Sequence, residues 1–259
     1  MVEFLGQYNI ITVGIIGSIL AGVATGIGAL PIFFTRKVPD VILDGLLGFA
    51  AGVMLAATAF SLIIPAIEYG GGGVQGAVIT SIGIFIGAVF LDLIDKFSPH
   101  MHRVLGEEGG KTTLNKIWLF IIAITIHNFP EGLAVGVGFG SGNIASGMSL
   151  AIGIGLQNIP EGLAVALALL RENYSRTKVF FIALATGLVE PIGGLLGISI
   201  IQVAKPILPI GLAFAAGAML FVISDEIIPE THTRGYQRIA TYGVIIGFII
   251  MMIMDTTLG

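Results

Sequence analysis

Along this chain of 259 residues, apolar positions run in long blocks and polar positions are confined to the short stretches between them. A block of about 20 apolar residues, rising 1.5 Å per residue as a helix, crosses the ~30 Å hydrocarbon layer of a bilayer. The blocks predict eight spans: 9–34, 41–67, 74–96, 117–139, 144–170, 178–202, 206–229 and 237–258. The expected architecture is therefore all-α: a polytopic membrane protein with a single transmembrane domain over residues 1–259. The longest polar stretch, from Lys96 to about Lys116, is too short for a soluble domain. Span 1 follows an acidic start at Glu3 and is long, so it reads as a retained span rather than a cleaved signal peptide.

Two interruptions of the apolar pattern are alike. The phrase HNFPEGLAVGVG begins at His127, and QNIPEGLAVALA begins at Gln157. Each places a carboxylate, Glu131 or Glu161, inside a predicted span, directly after a proline. An ionisable group at membrane depth costs about 2–3 kcal/mol on insertion scales and usually faces a pathway or a partner. Chance recurrence in apolar helices would explain Gly-Leu-Ala-Val, but not Asn-x-Pro-Glu-Gly twice. Consecutive spans run in opposite directions, so spans 4 and 5 carry the phrase into the bilayer from opposite sides. That is the mark of an inverted repeat, with a site expected near the midplane.

Composition secures the membrane class: 55% of residues are hydrophobic, 11% are charged, and mean hydropathy is +1.00. The 38 glycines suit close helix packing in lipid, and the absence of cysteine excludes disulfides and thiolate metal sites. The net charge of −4 matters less than where the charges sit. Of the twelve basic residues, all but Lys205 lie in or beside odd-numbered loops: Arg36, Lys37, Lys96, Arg103, Lys111, Lys116, Arg171, Arg176, Lys178, Arg234 and Arg238. The positive-inside rule makes those loops cytoplasmic and puts both termini on the extracytoplasmic side. No organelle presequence is evident, so the expected location is the cell (inner or plasma) membrane. The expected partners are the bilayer and a metal ion, with no nucleic acid.

The duplicated phrase has the chemistry of a cation site. His127 and Glu131, four residues apart, share a helix face beside Asn128, and span 5 repeats this with Gln157, Asn158 and Glu161. Pro130 and Pro160 donate no hydrogen bond to the carbonyls of Ile126 and Leu156, which must find other partners. Imidazole, carboxylate and amide oxygen suit zinc and other divalent first-row metals better than sodium or potassium. Span 6 adds a further buried acid, Glu190, ahead of Pro191. Met54 in span 2 is a candidate thioether ligand, although packing is the commoner role of a lone methionine. Asp92 and Asp95, then His100 and His102, close span 3, while Asp225, Glu226, Glu230 and His232 close span 7. Of these, Asp95 and the span 7 residues are candidates for a cytoplasmic exit. On the other side Glu68 and Asp255 are candidates for an entrance, although ordinary surface acids would look the same.

These residues resemble the ZIP (Zrt/Irt-like protein) family of divalent-metal transporters, and more closely its prokaryotic branch. The resemblance covers essentially the whole chain: eight spans, HNFPEG in span 4, QNIPEG in span 5, a Glu-Pro pair in span 6 and SDEIIPETH in span 7. It implies a 3+2+3 inverted repeat and a two-metal site between spans 4, 5 and 6. His127, Glu131, Gln157 and Glu161, with Met54 beside them, would form the main site. Asn128, Asn158, Glu161 and Glu190 would form the second, with Glu161 shared and Glu131 open to sharing too. Related sequences often carry aspartate where Asn158 stands, and a histidine can occur where Asp225 stands. The implied activity is uptake of zinc, or of cadmium, iron(II) or manganese(II), by alternating access of spans 1, 4, 5 and 6 against spans 2, 3, 7 and 8. A metal-selective channel on the same ligands is the alternative. An intramembrane metalloprotease is disfavoured, since span 4 has no second histidine and a protease has no use for a duplicated motif. No prosthetic group and no enzymatic activity are expected, and a homodimer is one assembly open to the chain.

Overall fold

A computed structural model of the chain describes residues 2–35, 37–97, 100–102, 106–108 and 116–258. Arg36, Arg103 and Lys111, counted among the cations above, lie outside the described residues. Among the described residues, eight helices are long and apolar enough to cross a membrane: Ile10–Phe33, Asp40–Tyr69, Gly73–Phe97, Ile117–Gly140, Ile144–Arg171, Arg176–Val203, Lys205–Thr231 and Gln237–Leu258. They are spans 1 to 8 below, and they make the chain an integral membrane protein. The remaining regular structure among the described residues is a short helix, Val2–Leu5, and a two-stranded antiparallel ribbon pairing His100–His102 with Gly106–Glu108. Side-chain caps start several spans. Asn9 accepts from the Ile11 amide, Asn143 from those of Ala145 and Ser146, and Ser175 from that of Lys178.

The helix pairing is its own image. Span 1 packs most extensively on span 5 and span 4 on span 6, while span 2 packs on span 8 and span 7 on span 3. Exchanging spans 1–3 with 6–8 and span 4 with 5 maps each pair onto another of the set, as the 3+2+3 repeat requires. Each of these pairs falls within one of two groups, spans 1, 4, 5 and 6 or spans 2, 3, 7 and 8, and span 2 also packs on span 5 between the groups. In the most apolar windows of spans 4 and 5, 72% of residues are buried, against 22% in spans 3 and 8. Spans 4 and 5 are thus central, and spans 3 and 8 turn most of their surface to the lipid.

The repeat extends to a local distortion. Spans 2 and 7 each pass through a π-helical stretch, Ala57–Ile63 and Ile223–Ile227. Each ends in Ile-Ile-Pro, at Pro65 and Pro229. Neither proline can donate to the carbonyl four residues back, and its ring crowds that carbonyl. The widened register accommodates this: the Ile64 amide donates to Ala59 and the Ile228 amide to Ile223, each five residues back. Such bulges are frequent at functional sites.

Candidate metal site

Spans 4 and 5 run unbroken as helices through Pro130 and Pro160. The glycine after each motif glutamate explains how they fit. A Cβ at Gly132 would collide with the backbone carbonyl of Glu190 in span 6, and one at Gly162 with that of Thr25 in span 1. The same position of the repeated phrase therefore admits a neighbouring backbone on each side of the pseudo-twofold, drawing spans 6 and 1 against the acids. Span 6 breaks at Leu188–Val189 and restarts at Glu190, whose carboxylate thus sits in the first turn of a helix. The exposed amides and dipole of a helix start favour a negative charge there.

Buried among these helices are His127, Asn128, Glu131, Gln157, Asn158, Glu161 and Glu190. Two amide–carboxylate pairs join them. Gln157 Nε2 donates to Glu131 Oε1 at 2.7 Å, and Asn158 Nδ2 donates to Glu190 Oε1 at 2.5 Å and to the Ala21 carbonyl at 2.9 Å. Several oxygens of the set remain without a hydrogen-bond partner among the described residues: Glu131 Oε2, Gln157 Oε1, Asn158 Oδ1, Glu161 Oε1 and Glu190 Oε2, with both polar atoms of Asn128. Buried polar groups are normally satisfied, because leaving one unpaired costs about 1–3 kcal/mol. These unpaired oxygens come from three neighbouring helices, and a bound cation would satisfy them.

His127 turns elsewhere. Its Nε2 lies 2.6 Å from Glu226 Oε1 in span 7. Together with Asp95 at the end of span 3, these residues bring three ligand atoms within 4.8 Å of one another. The sequence groups His127 with the central acids and the other two with an exit, whereas in the structure its ring contacts Glu226. A cavity of about 40 Å³ follows the same route, lined by His127, Glu131, Glu161, Glu226 and Glu230 with apolar walls from Leu47 and Phe120.

The remaining candidates are dispersed. Asp225 is half-buried in the π stretch of span 7, and exposed His232 bonds through Nδ1 with Thr231 Oγ1 and the Ile228 carbonyl. Met54 is fully buried in the apolar core. Glu68 is exposed, while Asp255 accepts a 2.5 Å hydrogen bond from Ser61 Oγ in span 2. Ser61 was missed from sequence, yet the Ile-Ile-Pro shared by spans 2 and 7 aligns it with Asp225. Also missed was a buried ion pair at the cation-rich end, Arg234 Nη1 with Asp44 Oδ1 at 2.5 Å, beside the Arg234 Nη2–Glu230 Oε1 contact at 2.6 Å. Burial alone would lower the pKa of Arg234. Hydrogen bonds to Asp44 and Glu230 and their charges outweigh that and raise it, so its positive charge is permanent.

An eight-span inverted repeat whose central helices bury several carboxylates along one route suits a membrane transporter of cations. Comparison with known proteins makes the class specific. The profile of the ZIP zinc transporter family matches residues 107–255. The chain is 45% identical to the zinc transporter GufA of Myxococcus xanthus, over 95% of this chain and 99% of that one. It is 41% identical to the zinc transporter ZIPB of Bordetella bronchiseptica, over all of this chain and 86% of that one. Against the human zinc transporter ZIP11 it is 34% identical, over 95% and 97% of the respective chains. The chain belongs to the ZIP family of zinc transporters.

Proposed function

We propose that this protein moves zinc, or a similar divalent cation, into the cytoplasm by alternating access. The ion enters between Glu68 and Asp255, reaches His127, Glu131, Gln157 and Glu161, and leaves past Asp95, Glu226, Glu230, Asp225 and His232 toward the cation-rich loops. Asn128, Asn158, Glu161 and Glu190 form a second position beside the first, and Met54 lies beside the main one. One observation carries the reading: His127, from span 4, meets Asp95 and Glu226, from spans 3 and 7, within 4.8 Å. It is an ion-sized junction between the two groups of spans whose relative motion alternating access requires. Imidazole with carboxylates favours zinc over harder ions there.

Each residue has a role. Glu131 and Glu161 supply the charge that offsets bringing a dication to the midplane. Gln157 and Asn158 hold the carboxylates at fixed separations by donating to Glu131 and Glu190. Their own side-chain oxygens have no hydrogen-bond partner among the described residues and could serve as ligands. His127 passes the ion from the central acids to Glu226, since its ring contacts Glu226 and lines the cavity that Glu131 and Glu161 also line. Uptake of radioactive zinc into proteoliposomes tests the scheme. Saturable, strongly temperature-dependent uptake that falls with both Glu131→Ala and Glu161→Ala is expected. Non-saturating flux would favour a channel instead.

A further inference from the structure

Arg234 holds two acids at once, and only one of them lines the cavity. It lies in the turn between spans 7 and 8, where Gly235, at φ +90°, lets the chain reverse. Its guanidinium forks to Asp44 of span 2 and to Glu230 of span 7. The Asp44 side chain is wholly buried, and its second oxygen has no hydrogen-bond partner among the described residues. Removing the guanidinium alone would leave that charge buried and uncompensated, a large penalty, so Arg234 is anchored in place. Glu230 differs. Its side chain is 20% exposed and lines the same cavity as Glu131, Glu161 and Glu226. An ion arriving at this mouth therefore meets a carboxylate that already holds a cation.

We propose that Arg234 is a tethered counter-cation that masks Glu230 and lowers the affinity of the cation-rich mouth for a divalent metal. The mouth then releases the ion instead of trapping it. This rests on the reading above that metal passes this way. Unmasked, Glu230, one helical turn after Glu226, would add a third carboxylate to the Asp95, His127 and Glu226 cluster and hold a dication longer. Arginine suits the task because its fork reaches both acids and its charge never titrates, whereas a lysine is a point charge that serves one partner at a time. Arg234 acts through Glu230 and is a positioning residue, not a ligand.

The test is cadmium binding to the purified full-length protein carrying Glu131→Gln and Glu161→Gln, so that the signal comes from the mouth. Adding Asp44→Asn with Arg234→Gln removes both partners of the buried pair and leaves the net charge unchanged. The expected result is about tenfold tighter cadmium binding, as for release of one charge-assisted hydrogen bond. A further Glu230→Gln should abolish that gain. Glu230→Gln introduced alone should change the Kd less than about twofold, because its carboxylate is already occupied. This arm needs no disruption of the Asp44–Arg234 pair, so it decides the point even where the double replacement does not fold. Unchanged affinity in the double replacement, a gain that survives Glu230→Gln, or a tenfold loss with Glu230→Gln alone would each overturn the proposal. Zinc uptake measured in parallel separates the two readings. Wild-type uptake by the Glu131→Gln and Glu161→Gln protein sinks the transport scheme, whereas the masking of Glu230 stands or falls on binding.

Discussion

Glu161 lies between the two proposed metal positions, and its Oε1 has no hydrogen-bond partner among the described residues. Replacing it should therefore cost function with little loss of packing. Glu131→Ala and Glu161→Ala are each expected to reduce zinc uptake by on the order of a hundredfold at matched expression, since each deletes a charge opposing the cost of a buried dication. His127→Ala should weaken zinc more than manganese, because imidazole contributes most to the softer ion. Competition between the two metals in the same vesicles reads that ratio, and equal losses would remove His127 from the route. Asn158 makes a finer test. Its amide donates to Glu190 and to the Ala21 carbonyl, which a carboxylate cannot do. Asn158→Asp should therefore destabilise the metal-free protein by about 1–3 kcal/mol through lost hydrogen bonds and like-charge contact. It should also tighten the second metal position, where the added charge opposes the repulsion between two dications. Thermal unfolding with and without cadmium reveals both effects. A variant of lower Tm that cadmium restores beyond the wild-type increment fits; a cadmium response equal to wild type would leave Asn158 as a bridge alone.

Among the elements, spans 4 and 5 depend on backbone proximity as much as on ligands. Gly132→Ala and Gly162→Ala place a methyl against the carbonyls of Glu190 and Thr25, where backbone cannot yield cheaply. Each should cost about 1–3 kcal/mol by overpacking and lower uptake although no ligand is lost. Gly155, whose Cβ would make ordinary contacts with Ala21 and Ala24, is the control expected to tolerate alanine. Equal Tm values for Gly132→Ala and Gly155→Ala would refute the close-packing account. The eight apolar helices and their inverted order were legible in sequence because apolar length and a repeated Asn-x-Pro-Glu-Gly are local signals. The partners of His127 were not. A histidine four residues before a glutamate suggests a shared ligand set, but helix rotation and the approach of span 7 decide which acid the ring meets, and those are tertiary. Asp44 and Arg234 escaped for the same reason, lying 190 positions apart. The π stretches were nearly visible: Ile-Ile-Pro occurs in both spans, yet only backbone bonds reaching five residues back reveal the widened register.

For the whole molecule, the proposed scheme moves spans 1, 4, 5 and 6 as one body against spans 2, 3, 7 and 8. Contacts that cross between bodies must therefore change if access alternates. The His127–Glu226 contact crosses, whereas Ser61–Asp255 joins two spans of the same body and Arg234–Asp44 joins the turn between spans 7 and 8 to span 2 of that body. The second kind should persist through the cycle, which suits Arg234 to a fixed role at the mouth. Direction depends on orientation, for which the basic loops provide the argument: cations are retained on the cytoplasmic side during insertion. The chain has no cysteine, so single introduced thiols report sidedness without background. A cysteine at Glu107, in the ribbon between spans 3 and 4, should react with an impermeant maleimide only after the cells are opened. One at Val74, 82% exposed at the start of span 3, should react on intact cells. Labelling of Glu107→Cys on intact cells would invert the molecule. The cavity that joins Glu131 and Glu161 to Glu226 and Glu230 would then face outward, and the same ligands would describe export.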